Sequence, residues 1–184
     1  ICEDNAGRIW IGTRNGGLNL FNQNDNKFQH FKHNPKDQNS ISGDDIYFII
    51  KDTVEKDIIW IGTIGDGLNK FNTKTLKSLH FLNNPSDPNT ISSNSIRNLL
   101  VDSRGVLWVG TLDAGLNQFD RKTGRFTRYQ HDPKDPNSLS YNVVNIIYED
   151  SEGILWIGTD EGGICRFDPN TNKFTTFRSL AEDQ

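Results

Sequence analysis

The stretch that decides the fold is Leu155-Trp156-Ile157-Gly158-Thr159, because four close copies of it occur in the chain. The other copies begin at Ile9, Ile59 and Leu107, and each consists of an aliphatic residue, Trp, an aliphatic residue, Gly and Thr. The four tryptophans are spaced by 50, 48 and 48 residues, and the chain contains no other Trp. Self-similarity at such a period indicates an array of small structural units rather than one or two ordinary domains.

Composition excludes several classes of function. The 184 residues carry a net charge of −4 without a basic run, so we expect no nucleic-acid partner and no contact of this segment with a membrane. No apolar stretch approaches the ~18 residues that cross a bilayer. Cys2 and Cys165 fall at different repeat positions without metal-ligand spacing, so we expect two packed free thiols rather than a disulfide, and no metal or cofactor. Met is absent and Ile1 opens the chain, which is expected of a piece of a longer protein.

The third repeat shows the predicted strands most clearly. Residues 94–102 form strand A, 106–111 strand B, 116–119 strand C and 126–129 strand D. The turn from Asp102 to Gly105 separates A from B, since Gly tolerates the positive φ that tight turns require. None of these runs has helical length or a 3.6-residue period, so short strands between turns are favoured.

Four short strands per repeat of about 48 residues predict an all-β protein, a β-propeller of four-stranded antiparallel blades. Strand A should be innermost and strand D outermost. With four repeats, the propeller is partial or self-assembling. The whole of 1–184 is one propeller segment, and the predicted blades are listed as follows: blade 1, 1–33 with strand A truncated; blade 2, 41–82; blade 3, 91–130; blade 4, 139–178.

The core and the connections between blades follow the same repeat. We expect the tryptophans, with Phe21, Phe71, Phe119 and Phe167, to form much of the core, since an aromatic residue packed between sheets buries about 150–250 Å². Linkers rich in Pro and Asx recur at 33–42, 83–92 and 131–140, and Ile41, Ile91 and Leu139 should pin them to the sheets. The second repeat has an A–B turn that is two residues longer and lacks the Gly.

The pattern from Asp102 to Asp120, with Gly105, Leu107-Trp108-Val109-Gly110-Thr111 and Gly115-Leu116-Asn117, resembles the two-component regulator propeller repeat. The resemblance covers essentially the whole chain. It implies an extracytoplasmic, periplasmic sensory module of a membrane-anchored bacterial signalling protein, with a histidine kinase or diguanylate cyclase outside this chain. It also implies carbohydrate fragments as ligands.

The sequence does not favour catalysis. The Asp-x-x-Gly-x-x-Trp turn also resembles the Asp-box of glycosidase propellers, where it is a structural turn. Asp4, Asp52, Asp102 and Asp150 recur once per blade, which indicates a role in turns, whereas hydrolysis of a glycoside needs one pair of carboxylates. The hypotheses that stay open are an oligosaccharide-binding sensor, an assembly scaffold that self-associates through blade edges or propeller pairing, and a glycosidase-like propeller.

Positions that differ between repeats are the candidates for a ligand site, because constant positions build the scaffold. Two such sets should share one propeller face: the loop between strands B and C, and the start of strand A near the central channel. The candidate ligand-binding residues are Arg14, Asn15, Asp45, Tyr47, Asp66, Arg97, Asp113, Tyr141, Asn145, Asp160 and Glu161.

Overall fold

The computed structural model describes residues 1–178, which contain sixteen β-strands; residues 179–184 of the predicted segment lie outside this range. The strands are β1 Cys2–Glu3, β2 Ile9–Thr13, β3 Gly17–Asn22, β4 Lys27–Phe31, β5 Ile46–Lys51, β6 Ile58–Thr63, β7 Leu68–Asn72, β8 Lys77–Phe81, β9 Ile96–Val101, β10 Leu107–Thr111, β11 Leu116–Asp120, β12 Arg125–Tyr129, β13 Val144–Glu149, β14 Leu155–Thr159, β15 Ile164–Asp168 and β16 Lys173–Phe177.

Consecutive groups of four strands form four antiparallel sheets, in the order A-B-C-D along each sheet. Each sheet packs against the next, and the A strands β5, β9 and β13 contact one another across the sheet boundaries. The backbone N–H of Ile147, for example, donates to Oδ1 of Asn98 in the neighbouring A strand at 3.1 Å. The A strands are therefore innermost, and the predicted all-β fold of four-stranded antiparallel blades is confirmed.

One turn geometry anchors the tryptophan of each blade. In blade 3, Oδ1 of Asp102 accepts the backbone N–H groups of Arg104 and Val106, and Oδ2 accepts the indole N–H of Trp108 at 2.9 Å. The same bond from indole to carboxylate joins Trp10 to Asp4, Trp60 to Asp52 and Trp156 to Asp150. In the longer second turn, Asp57 takes the positive φ, 63°, that Gly supplies elsewhere. The aspartate that shapes the turn thus also fixes the ring direction.

The hydrophobic core lies between blades rather than within them. Trp108 packs edge to face on Phe167 of the next blade, with ring centroids 5.4 Å apart. The two preceding interfaces repeat this contact at 5.3 and 5.4 Å. Gly110 in β10 permits the close approach, because a methyl group placed on it would lie 2.5 Å from Cγ1 of Val144. Each blade therefore completes the core of its neighbour.

The fourth blade departs from this pattern. Trp10, Trp60 and Trp108 are fully buried, whereas Trp156 is half-buried and packs on Phe177 of its own blade at 5.8 Å. The expectation that all four tryptophans pack between sheets is therefore wrong for Trp156 within the described chain. The reason is physical: no sheet of residues 1–178 covers that flank of blade 4.

Two further expectations are confirmed. Ile41, Ile91 and Leu139 are buried and hold the linkers against the blade interfaces. Cys2 and Cys165 are both buried and free. The described residues include no helix long and apolar enough to cross a membrane.

Candidate functional site

A β-bulge at the start of each complete inner strand displays a variable side chain. In β5 the pairing register shifts between Ile46 and Phe48, so that Tyr47 is an extra residue in the strand. Arg97 in β9 and Asn145 in β13 sit at the same shift. A bulge bends its strand and redirects the side chain at that point, which is why bulges recur beside binding sites. Three adjacent blades thus present an aromatic ring, a guanidinium and an amide at equivalent positions.

The residue that precedes each A strand by two positions has a structural role. The backbone oxygens of Asp44, Asn94 and Asn142 accept N–H groups from Gly17, Gly67 and Gly115 of the preceding blade's B–C loop, at 2.8–2.9 Å. Their side-chain Oδ1 atoms accept the N–H groups of His33, Asn83 and His131 in the linker. These bonds hold each B–C loop against the start of the next A strand, so the two predicted sets do lie on one face.

Blade 4 brings four of the candidate residues together. Nδ2 of Asn145 donates to Oδ1 of Asp160 at 3.3 Å. The negative charge of Glu161, together with a hydrogen bond between the two side chains, raises the pKa of Tyr141 above its ordinary value. The phenol of Tyr141 is protonated at neutral pH, as a tyrosine with an ordinary pKa also is; because its O–H is directed to Glu161, its oxygen is the atom that can accept a hydrogen bond from a ligand. This cluster offers an aromatic ring, an amide and two carboxylates.

Arg14 of blade 1 faces Asp45 of blade 2. Nε of Arg14 lies 4.0 Å from Oδ1 of Asp45, and the Arg14 side chain is 85% exposed, so this ion pair contributes little to stability. Within the described residues, that Oδ1 atom is buried and has no hydrogen-bond partner. The pair leaves the guanidinium of Arg14 available to another acceptor.

The remaining candidates lie singly, one in each of three B–C loops. Asn15 is exposed at a loop tip with a φ of 56°, and Asp113 is exposed in the third loop. The carboxylate of Asp66 lies against Gly43, where a methyl group would meet it at 2.1 Å. The structure therefore groups Tyr141, Asn145, Asp160 and Glu161 and pairs Arg14 with Asp45. The other five candidates are distributed over blades 1, 2 and 3.

The carboxylates of the buried aspartates accept hydrogen bonds within the turns and are used to stabilise the fold. Burial by itself would raise the pKa of Asp4, but hydrogen bonds from the Trp10 indole, from the backbone N–H groups of Arg8 and Ala6 and from the Arg8 guanidinium bring it below its ordinary value. A glycosidase acid needs the opposite, a raised pKa. The bond from Asp to Trp was missed at the sequence level, although the constant spacing from Asp4 to Trp10 and its later copies was a usable signal.

Asp52 shows the same balance across a blade boundary. Burial raises its pKa, and the Arg121 guanidinium of blade 3, the N–H groups of Glu55 and Val54, and the Trp60 indole lower it to a net value below the ordinary range. Within residues 1–178, no group of three His, Cys, Asp or Glu side chains is arranged to hold a metal ion.

Two sizeable cavities lie on blade 1, away from the candidate face. One of about 530 Å³ is lined by Arg8, Leu20, Phe21 and Phe28. The other, of about 410 Å³, is lined by Ile11, Thr13, Gly16, Asn19, Phe28, His30 and Lys32. The first cavity has an equivalent of about 360 Å³ on blade 3, lined by Gly105, Phe119 and Thr127 among others, so it is a feature of the repeat. Neither blade 1 cavity is lined by a candidate ligand residue.

The fold and the repeat define a β-propeller, and comparison with known proteins gives its family. Residues 1–15, 90–113 and 138–161 match the two component regulator propeller family. These three segments match two component regulator propeller repeats, and the resemblance found in the sequence is confirmed. The second repeat, with its longer A–B turn, is not among the matched segments. None of the curated proteins matches the chain.

Solved structures with the same arrangement include extracellular domains of signalling proteins. One is described as the extracellular domain of the hybrid two component system BT3049 from B. thetaiotaomicron, with a TM-score of 0.83, 26% identity, and coverage of 96% of this chain and 24% of that one. Another is described as the extracellular domain of the one component system BT4673 from the same organism, with a TM-score of 0.70, 25% identity, and coverage of 97% and 21%.

A third structure shares the fold alone. PorZ, a surface component of the type-IX secretion system of Porphyromonas gingivalis, has a TM-score of 0.65 at 17% identity, with coverage of 95% of this chain and 26% of that one. The chain spans about a quarter of the length of the structures that it matches.

Proposed function

We propose that this chain is a non-catalytic, ligand-binding part of an extracellular sensor in a bacterial two-component signalling protein, and that it recognises carbohydrate fragments. The observation that carries the proposal is the repeated bulge, which presents Tyr47, Arg97 and Asn145 from three adjacent blades. The similar extracellular domains support the sensory part of the proposal.

The chemistry of this face suits a sugar. A tyrosine ring stacks on the apolar face of a pyranose, while amide, guanidinium and carboxylate groups bond to its hydroxyls. The Asn145–Asp160 pair and the Tyr141–Glu161 pair add donors and acceptors beside the bulges. Because these groups sit at the ends of strands in a rigid sheet, they can hold a ligand at small entropic cost.

In the complete protein, this segment would lie in the periplasm, and the catalytic output, a kinase or a cyclase, would lie outside it. A ligand would act by binding one arrangement of the sensory region more tightly than another and so changing its population. A non-catalytic role agrees with the use of the buried aspartates Asp4 and Asp52 in turns, where their pKa values are lowered rather than raised.

Calorimetric titration of the chain with a panel of defined oligosaccharides tests the proposal. We expect one class of glycan to bind, and Tyr47→Ala and Arg97→Ala each to weaken it about tenfold or more. Tyr148→Ala is the matched control, because Tyr148 is equally exposed on an inner strand but lies at the opposite end of β13. Absence of binding across the panel, or equal losses in Tyr47→Ala and Tyr148→Ala, would contradict the proposal.

A second candidate function is an assembly scaffold. Its support is the exposure of Phe28 on the first blade and of Phe177 on the fourth, which leaves two blade flanks available for contact with protein. Sedimentation over a range of concentrations tests it: a scaffold that pairs through its flanks should associate, and Phe28→Asp with Phe177→Asp should return it to monomers. Monomers at all concentrations would exclude self-assembly.

A further inference from the structure

Each of blades 2, 3 and 4 holds the linker that leads into it against its own outer edge. The second residue of strand D donates its backbone N–H to the carbonyl oxygen of a linker asparagine. The three bonds are Ser78 to Asn39 at 2.8 Å, Phe126 to Asn89 at 2.8 Å and Phe174 to Asn137 at 3.1 Å. The linker thus extends the sheet by one hydrogen-bonded contact.

A serine three residues later makes a second contact with strand C. In blade 2, the N–H of Ser42 donates to Oδ1 of Asn69 at 2.8 Å, and Nδ2 of Asn69 donates to Oγ of Ser42 at 2.7 Å. Ser92 and Asn117 repeat this pair in blade 3 at 2.9 and 2.8 Å. The aliphatic residue before each serine is buried in the interface. The linker is therefore recognised by its Asn, its aliphatic residue and its Ser.

Blade 1 has the same recognition groups, and within residues 1–178 no linker lies on them. Asn19 is the equivalent of Asn69, and Phe28 is the equivalent of Phe126 and Phe174. Phe28 is 47% exposed, whereas Phe126 and Phe174 are 5% and 4% exposed under their linkers. A groove of about 410 Å³ runs along this edge, lined by Asn19, Phe28 and His30 among others.

His30 indicates how the groove fills. Its Nδ1 is 2.6 Å from Oδ1 of Asn19, the atom that in blades 2 and 3 accepts a linker serine. His80, the same residue type at the same position in blade 2, instead contacts the linker, with its Nε2 2.6 Å from the backbone oxygen of Ser40. A bound segment would therefore break the contact between His30 and Asn19. The His30 ring would then contact the backbone of the segment, as His80 contacts its linker.

We infer that this groove, defined by Asn19, Phe28 and His30, binds an extended peptide segment that carries Asn, Ser or Thr, an aliphatic residue and Ser in succession. Its carbonyl oxygen would accept the Phe28 N–H, its aliphatic side chain would cover the Phe28 ring, and its serine would pair with Asn19. The occupant we propose is a peptide segment with the composition of these linkers, because linkers of that composition occupy the equivalent grooves of blades 2, 3 and 4.

A labelled peptide with the sequence of residues 33–43 provides the test, titrated by fluorescence anisotropy with the whole chain up to about 1 mM. We expect saturable binding that weakens about tenfold or more when Asp replaces the peptide residue equivalent to Ile41, because that side chain is fully buried in blade 2. Asn19→Ala should weaken it similarly. The His30 ring resonances should shift on binding, while those of His80 stay in place.

Phe177→Asp is the matched control, since Phe177 is equally exposed on the opposite flank, and it should leave peptide affinity unchanged. The inference is overturned if binding is absent, or if it is indifferent to both Asn19→Ala and the Asp-substituted peptide. Concentration-dependent self-association that Phe28→Asp abolishes, without peptide binding, would assign the groove to a second copy of the chain and overturn it as well. A failure here leaves the ligand face at the bulges untouched, because the two sites share no residue.

Discussion

Trp108 and Trp156 occupy the same position of successive repeats and differ in what covers them. Both rings donate an indole N–H to the aspartate of their own turn, at 2.9 and 2.7 Å. Trp108 is fully buried under Phe167 of the next blade, while Trp156 is half-buried beside Phe177 of its own blade. The hydrogen bond is thus determined by residues of the same repeat, whereas burial of the Trp ring depends on the next blade.

Replacing each of the two tryptophans by Ala should give the largest difference in stability between a ring covered by the next blade and a ring that is not. Trp108→Ala leaves a cavity between two sheets and should lower the free energy of unfolding by about 3–5 kcal/mol. Trp156→Ala removes a ring that is already partly solvated and should cost about 1–2 kcal/mol. Urea denaturation of both variants at neutral pH measures the difference. Equal losses would mean that the interface between blades 3 and 4 adds no more than a free flank.

The carboxylate beneath the ring gives a second, smaller comparison. Arg121 of blade 3 donates to Oδ2 of Asp52 in blade 2 at 2.7 Å; the Arg121 side chain is 18% exposed, and that of Asp52 is fully buried. Arg121→Met should therefore lower the free energy of unfolding by about 2 kcal/mol, because it leaves the buried Asp52 carboxylate without its cationic partner. Arg104→Met is the control: Arg104 binds Asp102 of its own turn but is 41% exposed, so its loss should cost about 0.5 kcal/mol.

The free energy of unfolding of Arg121→Met should also depend less on acid than that of the unsubstituted chain. The pKa of Asp52 in the folded chain is below its ordinary value, so its stabilisation is present above about pH 3.9 and is lost as pH falls through the lower, folded-state pKa. Without the guanidinium, burial raises the folded-state pKa of Asp52 toward or past its unfolded value, so less stability is lost on acidification. The difference in free energy of unfolding between the unsubstituted chain and Arg121→Met should therefore narrow as pH falls from neutral to about pH 3, while the difference for Arg104→Met stays nearly constant; urea denaturation at several pH values measures both.

The glycine of the repeated pentapeptide provides the smallest expected contrast. A methyl group on Gly110 would meet Val144 of the next blade at 2.5 Å, so Gly110→Ala should cost about 1–2 kcal/mol through overpacking. The same group on Gly158 would meet only Cγ2 of Ile146, an exposed side chain of its own blade, at 2.9 Å. Gly158→Ala should therefore change the thermal midpoint less; a larger change than in Gly110→Ala would argue against packing across blades.

The architecture could be predicted from the sequence because the same local interactions recur in all four repeats. Trp108 and its copies mark the B strand, Gly105 the turn, and Ile91 the buried end of a linker. The repeated chemistry also explains why the linkers were predicted well, whereas the two free thiols were predicted from their unmatched positions in the repeat. Positions that every blade shares are fixed by packing, and packing leaves a periodic signal in the sequence.

The sequence was less informative where a residue depends on its surroundings. It could not distinguish Trp156 from Trp108, since the difference lies in the neighbouring sheet. Nor did it reveal the bulge that redirects Tyr47, because one extra residue in a strand of irregular length leaves no periodic mark. The choice of ligand residues, among them Arg97 and Glu161, stays a prediction, since the side chains of an open face are not fixed by packing.

Hydrogen exchange of the four indole N–H groups, followed by NMR on the intact chain, tests the central claim most directly. All four groups donate to an aspartate, so a difference among them must come from coverage by the next blade. We predict that Trp10, Trp60 and Trp108 exchange slowly and that Trp156 exchanges much faster. Equal protection of all four, or a Trp108 that exchanges as fast as Trp156, would contradict the account.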